Sequence, residues 1–141
     1  MSLESNKQLV KRAIMMWSTG KVQEADEIYA PNCSNYQQHL QSADHVLKGP
    51  ESWKKFIQEF RQVFPDYQDT IEVQIAESDM VASRLTCRGT HKGKWHGVQP
   101  TGKKVSFTCI LLDRIENGKI VETWANWDMY GLMLQLGVIK K

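Results

Sequence analysis

Leu9, Val10, Ala13, Ile14 and Trp17 recur at intervals of three and four, so they line one face of a helix. Ser5 and Gln8 have capping-box spacing at its start, and Gly20 is placed to stop it. Residues 22–29 predict a second, short helix that Pro31 ends. Pro50 suits the first turn of a third helix, whose apolar stripe is Trp53, Phe56, Ile57, Phe60, Val63 and Phe64 and which Pro65 and Asp66 close. The period then falls to two. Ile71, Val73 and Ile75 alternate with Thr70, Glu72, Gln74 and Ala76, and residues 80–88, 105–115 and 120–127 read as further strands. Asn117-Gly118 between the last two is a tight-hairpin signal. Residues 130–136 predict a closing helical turn with Gly137 at its end. Helices followed by a hairpin-linked antiparallel sheet predict a single α+β domain over all 141 residues.

Composition narrows the partners. Apolar residues make up 41% and charged residues 24%, the balance of an ordinary globule able to build a core. The net charge of +2 is spread without a basic stripe, so a nucleic-acid partner is not expected. No apolar run approaches the roughly 20 residues that span a bilayer, so a membrane partner is not expected either. The polar first eleven residues lack a signal-peptide core. Three cysteines without metal-type spacing predict free thiols in a reducing cytoplasm. His39 and His45, with Asp44 in the polar stretch 32–48, fit no metal signature, and no metal or cofactor is expected. Nucleophile-elbow, phosphate-loop and dinucleotide fingerprints are absent from the sequence. What remains is acid/base work on a small molecule, or binding alone.

The link between the strands at 80–88 and 105–115 breaks the hairpin pattern. Residues 89–105 carry four glycines, Pro100, His91, His96 and Trp95, where a simple hairpin needs about two to five residues. Links of that length in compact domains are usually lids or binding loops.

The segment RGTHKGKWHGVQPTGKKVSF, followed by DRIENGKIVETWANWDMYGLMLQLG and preceded by FPDYQDTIEVQIAESDMVASRLTCRGTH, resembles the SnoaL-like polyketide cyclase family of the nuclear-transport-factor-2-like superfamily. The resemblance runs from about residue 64 to residue 137. It implies a strongly curved sheet wrapped around the N-terminal helices as a cone-shaped α+β barrel. The interior is apolar and takes a small apolar or polyketide-like molecule. It further implies a homodimer or higher homo-oligomer, and an aspartate acting as general acid/base in an intramolecular aldol closure without metal or cofactor. Isomerising and epoxide-hydrolysing relatives use the same kind of cavity. Asp128 stands at the matching place for that aspartate. Many members carry a histidine shortly after the Tyr29-Ala30-Pro31 motif; here Tyr36 stands nearest, beside Asn35, and His39 comes three residues late.

The residues admit two readings each. Asp128 shares strand parity with Glu122, Trp124 and Asn126, so it is either a carboxyl among aromatics at the edge of an apolar site, with a raised pKa, or a cap on the terminal helix. His91 is a proton shuttle or a strand-end histidine fixed to backbone. Tyr36 is a donor to an enolate oxygen or a packed aromatic. Arg84 clamps an acidic ligand or faces solvent. With Asn35, Trp124, Asn126, Trp17 and Phe60, it completes the set of candidate ligand contacts. Alternation alone does not say which sheet face is concave. The sequence therefore supports a cofactor-independent cyclase-like or isomerase-like enzyme, or a non-catalytic binding or dimerisation module of the same shape.

Overall fold

Helix α1 runs from Leu3 to Thr19 and opens on a reciprocal cap: the Ser2 hydroxyl accepts from the Ser5 amide and the Ser5 hydroxyl accepts from the Ser2 amide, each at 3.0 Å. The box thus lies at Ser2 and Ser5, three residues ahead of the Ser5–Gln8 spacing. In this computed structural model, which describes residues 2–37 and 46–140, a 3-10 turn (Val22–Glu24) and α2 (Ala25–Ile28) follow. Then come β1 (Tyr29–Gln37), β2 (Val46–Lys48), α3 (Gly49–Val63), β3 (Gln68–Glu77), β4 (Met80–Thr90), β5 (Lys104–Glu116), β6 (Lys119–Trp127) and α4 (Met129–Leu136). His39, Asp44 and His45 lie outside the described residues.

The strands form one sheet in the order β2-β1-β6-β5-β4-β3. All neighbours are antiparallel except β1 and β6, which are parallel. β1 occupies residues expected to end a helix and begin a polar loop. It tolerates Pro31 because the pairing with β6 slips between Tyr29 and Ser34, which relieves the missing N–H. Further slips fall between Ile71 and Val73 and between Arg114 and Ile115. Each such bulge adds twist and bend. The result is an open, curved sheet rather than a closed barrel, with α1 packed over β3 and β4 and α3 over β1 and β2. Asn117 and Gly118 both have positive φ, the backbone of the expected tight hairpin. Among the described residues no helix is long and apolar enough to cross a membrane.

Strand alternation sorts the side chains. Val81, Ser83, Leu85 and Cys87 of β4, Phe107, Cys109 and Asp113 of β5, and Thr123 and Ala125 of β6 are buried on the inner face. Their neighbours Arg84, Ile110, Leu112 and Asn126 are exposed on the outer one.

Candidate functional site

Ala13, Ile14 and Trp17 from α1 and Trp53 from α3 roof a hollow on the concave face. Its floor and walls are Tyr29, Tyr67, Asp69, Leu85, Cys109, Leu111, Asp113, Thr123 and Trp127. Its free volume is about 30 Å³, room for roughly two waters. Trp17 closes it from above. Its ring lies 5.4 Å from Phe56 and Phe60, 6.2 Å from Tyr67 and Trp127, and 6.3 Å from Trp53. Tyr29 stacks on Trp53 at 4.5 Å. A ligand much larger than two waters fits only if part of this aromatic roof moves.

Two carboxyl groups open into the hollow. Asp113, 3% exposed, accepts a 2.5 Å hydrogen bond from the Thr123 hydroxyl. Burial pushes its pKa up to about 7, and the Thr123 bond, which favours the charged form, pulls the other way. Asp69 is held at the start of β3, where its amide donates to the Ser18 hydroxyl at 3.0 Å. Burial pushes Asp69 up to about 6, against hydrogen bonds from Tyr67 and Cys87 that lower it. Its Oδ1 is buried without a hydrogen-bond partner among the described residues. Burial also holds both phenols well above the usual range. The charge of Asp113 adds to the effect at Tyr29, and that of Asp69 at Tyr67. A carboxyl that titrates near neutrality, next to neutral donors in an apolar setting, can both take up and return a proton.

Of the residues singled out in the sequence, Trp17 lines the hollow and Phe60 packs directly behind it, 5.2 Å from Trp127. Phe60 also borders an outer groove of about 380 Å³ with Phe56, Val63, Trp95 and His96. Asn35 is fully buried in β1, in register with Thr123, but is not among the residues lining the hollow.

Of the two readings of Asp128, the structure shows the cap on the terminal helix and not the carboxyl at the edge of an apolar site. Its carboxylate is exposed and accepts from the Gly131 amide at 2.9 Å, capping α4. A Cβ at Gly131 would press on the Asp128 carboxylate, so glycine there leaves room for the cap. The parity that groups Asp128 with Trp124 and Asn126 faces outward, while Thr123 and Trp127 point in. Trp124 stacks on Tyr36 at 5.5 Å on the outer face, so neither reaches the hollow. Arg84 lies exposed on the same face, opposite Val73 and Ile110.

His91 is fully buried but serves the backbone. Its Nδ1 accepts from the Thr101 amide at 3.1 Å and meets the Thr101 hydroxyl at 3.0 Å, while its own amide and carbonyl bond Lys103 and Gly102. The ring thereby staples the Pro100-Thr101-Gly102 turn to the end of β4. With Nδ1 accepting, the ring proton sits on Nε2, which is buried without a partner among the described residues.

The inner carboxyls did carry a sequence signal. Val105, Phe107, Cys109, Leu111, Asp113 and Ile115 share one strand parity, and Asp113 is the single charged member. Tyr67, Asp69 and Ile71 repeat the pattern.

The sequence profile of the family described as SnoaL-like polyketide cyclase matches residues 7–136. Over 126 residues the chain is 29% identical to the nogalonic acid methyl ester cyclase of Streptomyces nogalater, covering 88% of this chain and 91% of that protein. Over 138 residues it is 28% identical to the aklanonic acid methyl ester cyclase DnrD of Streptomyces peucetius, covering 92% and 88%. Wild-type IdmH from Streptomyces antibioticus superposes with a TM-score of 0.81 at 27% identity, over 94% of this chain and 98% of that one. TsrD from Streptomyces laurentii superposes with a TM-score of 0.86 over 99% of both chains at 22% identity, a likeness of fold.

Proposed function

The chain belongs to the SnoaL-like polyketide cyclase family, and from that premise we propose that it closes a ring in a polyketide-type methyl ester, with Asp113 as general acid/base. The observation that carries this reading is the placement of Asp113: buried in the hollow that Trp17 roofs and Tyr29 helps to wall, touched by the Thr123 hydroxyl, with its pKa raised to about 7. The two curated relatives, each a methyl ester cyclase by name, support the substrate class.

In the proposed reaction the Asp113 carboxylate removes a proton from a carbon beside a carbonyl, and the C–H electron pair becomes an enolate. The enolate carbon attacks a second carbonyl of the same molecule, forming the C–C bond and leaving an alkoxide. The proton held on Asp113 returns to that alkoxide, so the enzyme ends as it began. Desolvation makes the carboxylate a stronger base than in water, and a pKa close to the working pH keeps both directions of transfer accessible. The apolar wall excludes competing water. Because the free volume is about 30 Å³, substrate binding has to displace part of the aromatic roof.

The test is turnover of aklanonic or nogalonic acid methyl ester, followed by chromatography and mass spectrometry, with wild type and Asp113→Asn. Removing a general base predicts a loss of about 10²–10⁴-fold in kcat. Equal turnover by the variant overturns the assignment.

A further inference from the structure

The hollow has a second carboxyl that the acid/base step does not use. In the strand register Asp69 stands opposite Cys87 and Asp113 opposite Val81. Those partners are six residues apart on β4, about 20 Å of extended strand, which the curvature of the sheet shortens on its concave side. The two carboxyls therefore enter the hollow from different strands and at different positions along the sheet. Each has its own phenol, Tyr67 beside Asp69 and Tyr29 near Asp113. Between them the lining is Leu85, Cys109, Leu111 and Trp17, and Cys109 lies close enough to feel both carboxyls. Asp69 also has an unmade bond, at its partnerless buried Oδ1.

We propose that Asp69 anchors the part of the substrate remote from the carbon that Asp113 deprotonates, by a hydrogen bond to an oxygen function, and so selects substrates that carry one there. A hydroxyl would donate to the carboxylate, and a carbonyl would accept from the carboxylic acid. Either completes the Asp69 shell, while an apolar substituent leaves it unpaired. Discrimination of this kind is stronger than that of a purely apolar pocket, because the wrong ligand strands a buried polar group. The inference rests on the reading of Asp113 as the reacting group.

Binding is measured apart from turnover, by titrating tryptophan fluorescence with the methyl esters named above in wild type, Asp69→Asn, Asp69→Ala and Asp113→Asn. Asp69→Ala is expected to raise Kd and KM roughly tenfold while kcat changes less than about threefold. Asp69→Asn, which preserves shape and one donor, is expected to fall between and serves if the alanine variant fails to fold. A congener lacking the remote oxygen is expected to bind wild type and Asp69→Ala alike. Unchanged Kd in both Asp69 variants overturns the proposal, as does a fall in kcat at constant Kd, which would make Asp69 a reacting group. A fully active Asp113→Asn would instead refute the acid/base assignment, while the Kd comparison at Asp69 still reports on anchoring.

Discussion

On the outer face of the sheet Glu122 lies 2.7 Å from the Arg114 guanidinium, which also holds Glu116 at 2.7 Å. On the inner face, one position back along β5, Asp113 meets a threonine hydroxyl. The outer carboxylates are partly hydrated and paired with a cation. The inner ones are enclosed among aromatics and neutral donors, so their charge is disfavoured and their pKa values rise to about 7 and about 6. A fold selected for stability alone gains nothing from two such groups. On the proposed reading, the inner face is the working one, and two such groups are the usual trade of stability against function.

The contrast can be broken most forcefully at Asp113 itself. Its folded pKa is raised from 3.8 to about 7, so the folded chain keeps a proton that the unfolded chain releases. Stability is then fullest below about pH 4 and declines as pH rises through about 7. Asn carries no such proton, so Asp113→Asn should be more stable than wild type at pH 8, by up to roughly 4 kcal/mol, and much less so at pH 4. Urea unfolding at the two pH values measures the gap; a difference independent of pH would contradict the buried titration. Asp69 titrates with the same sign in both proteins and cancels in the comparison.

A gentler change sharpens the same contrast. The Thr123 hydroxyl favours ionised Asp113, so in wild type kcat/KM should rise through about pH 7, and in Thr123→Val that limb should move to higher pH by on the order of one unit. A pH–rate profile decides it, and an unmoved limb assigns the titration to another group.

Asp128 tests the opposite region. Removing a helix cap by Asp128→Ala should cost about 1 kcal/mol in chemical denaturation and leave kcat unaltered. A hundredfold loss of turnover in a folded variant would return Asp128 to the catalytic set. The smallest effect is expected from Arg114→Ala: unchanged turnover and a slight drop in Tm that salt diminishes, because the pairs it breaks are at the surface.

Much of the scaffold was legible because single residues announce it. Pro50 opens α3, the stripe from Trp53 to Val63 buries as its spacing requires, and Asn117-Gly118 turns the hairpin. β1 was not, since residues 32–36 lack an apolar alternation and Pro31 argues against a strand until the register slip is seen. The lining of the hollow was hard to read for a different reason. Apolar residues occupy both faces, with Ile75 64% and Ile110 54% exposed, so hydrophobicity did not mark the inner one. Near Asp128 the indoles of Trp124 and Trp127 fall on opposite parities, and the grouping with Trp124 led outward. Along β5 the longer alternation around Asp113 was the better guide, because six positions average out what a single aromatic neighbour cannot.

Cys33, Cys87 and Cys109 are reduced and all sealed inside the protein, and burial drives the three thiols upward in pKa. Alkylating reagents consume thiolate, and none is on offer while the chain stays closed. The rate at which iodoacetamide labels this protein therefore counts openings of its interior, and mass spectrometry of the labelled peptides would time β1, β4 and β5 separately, without any engineered probe.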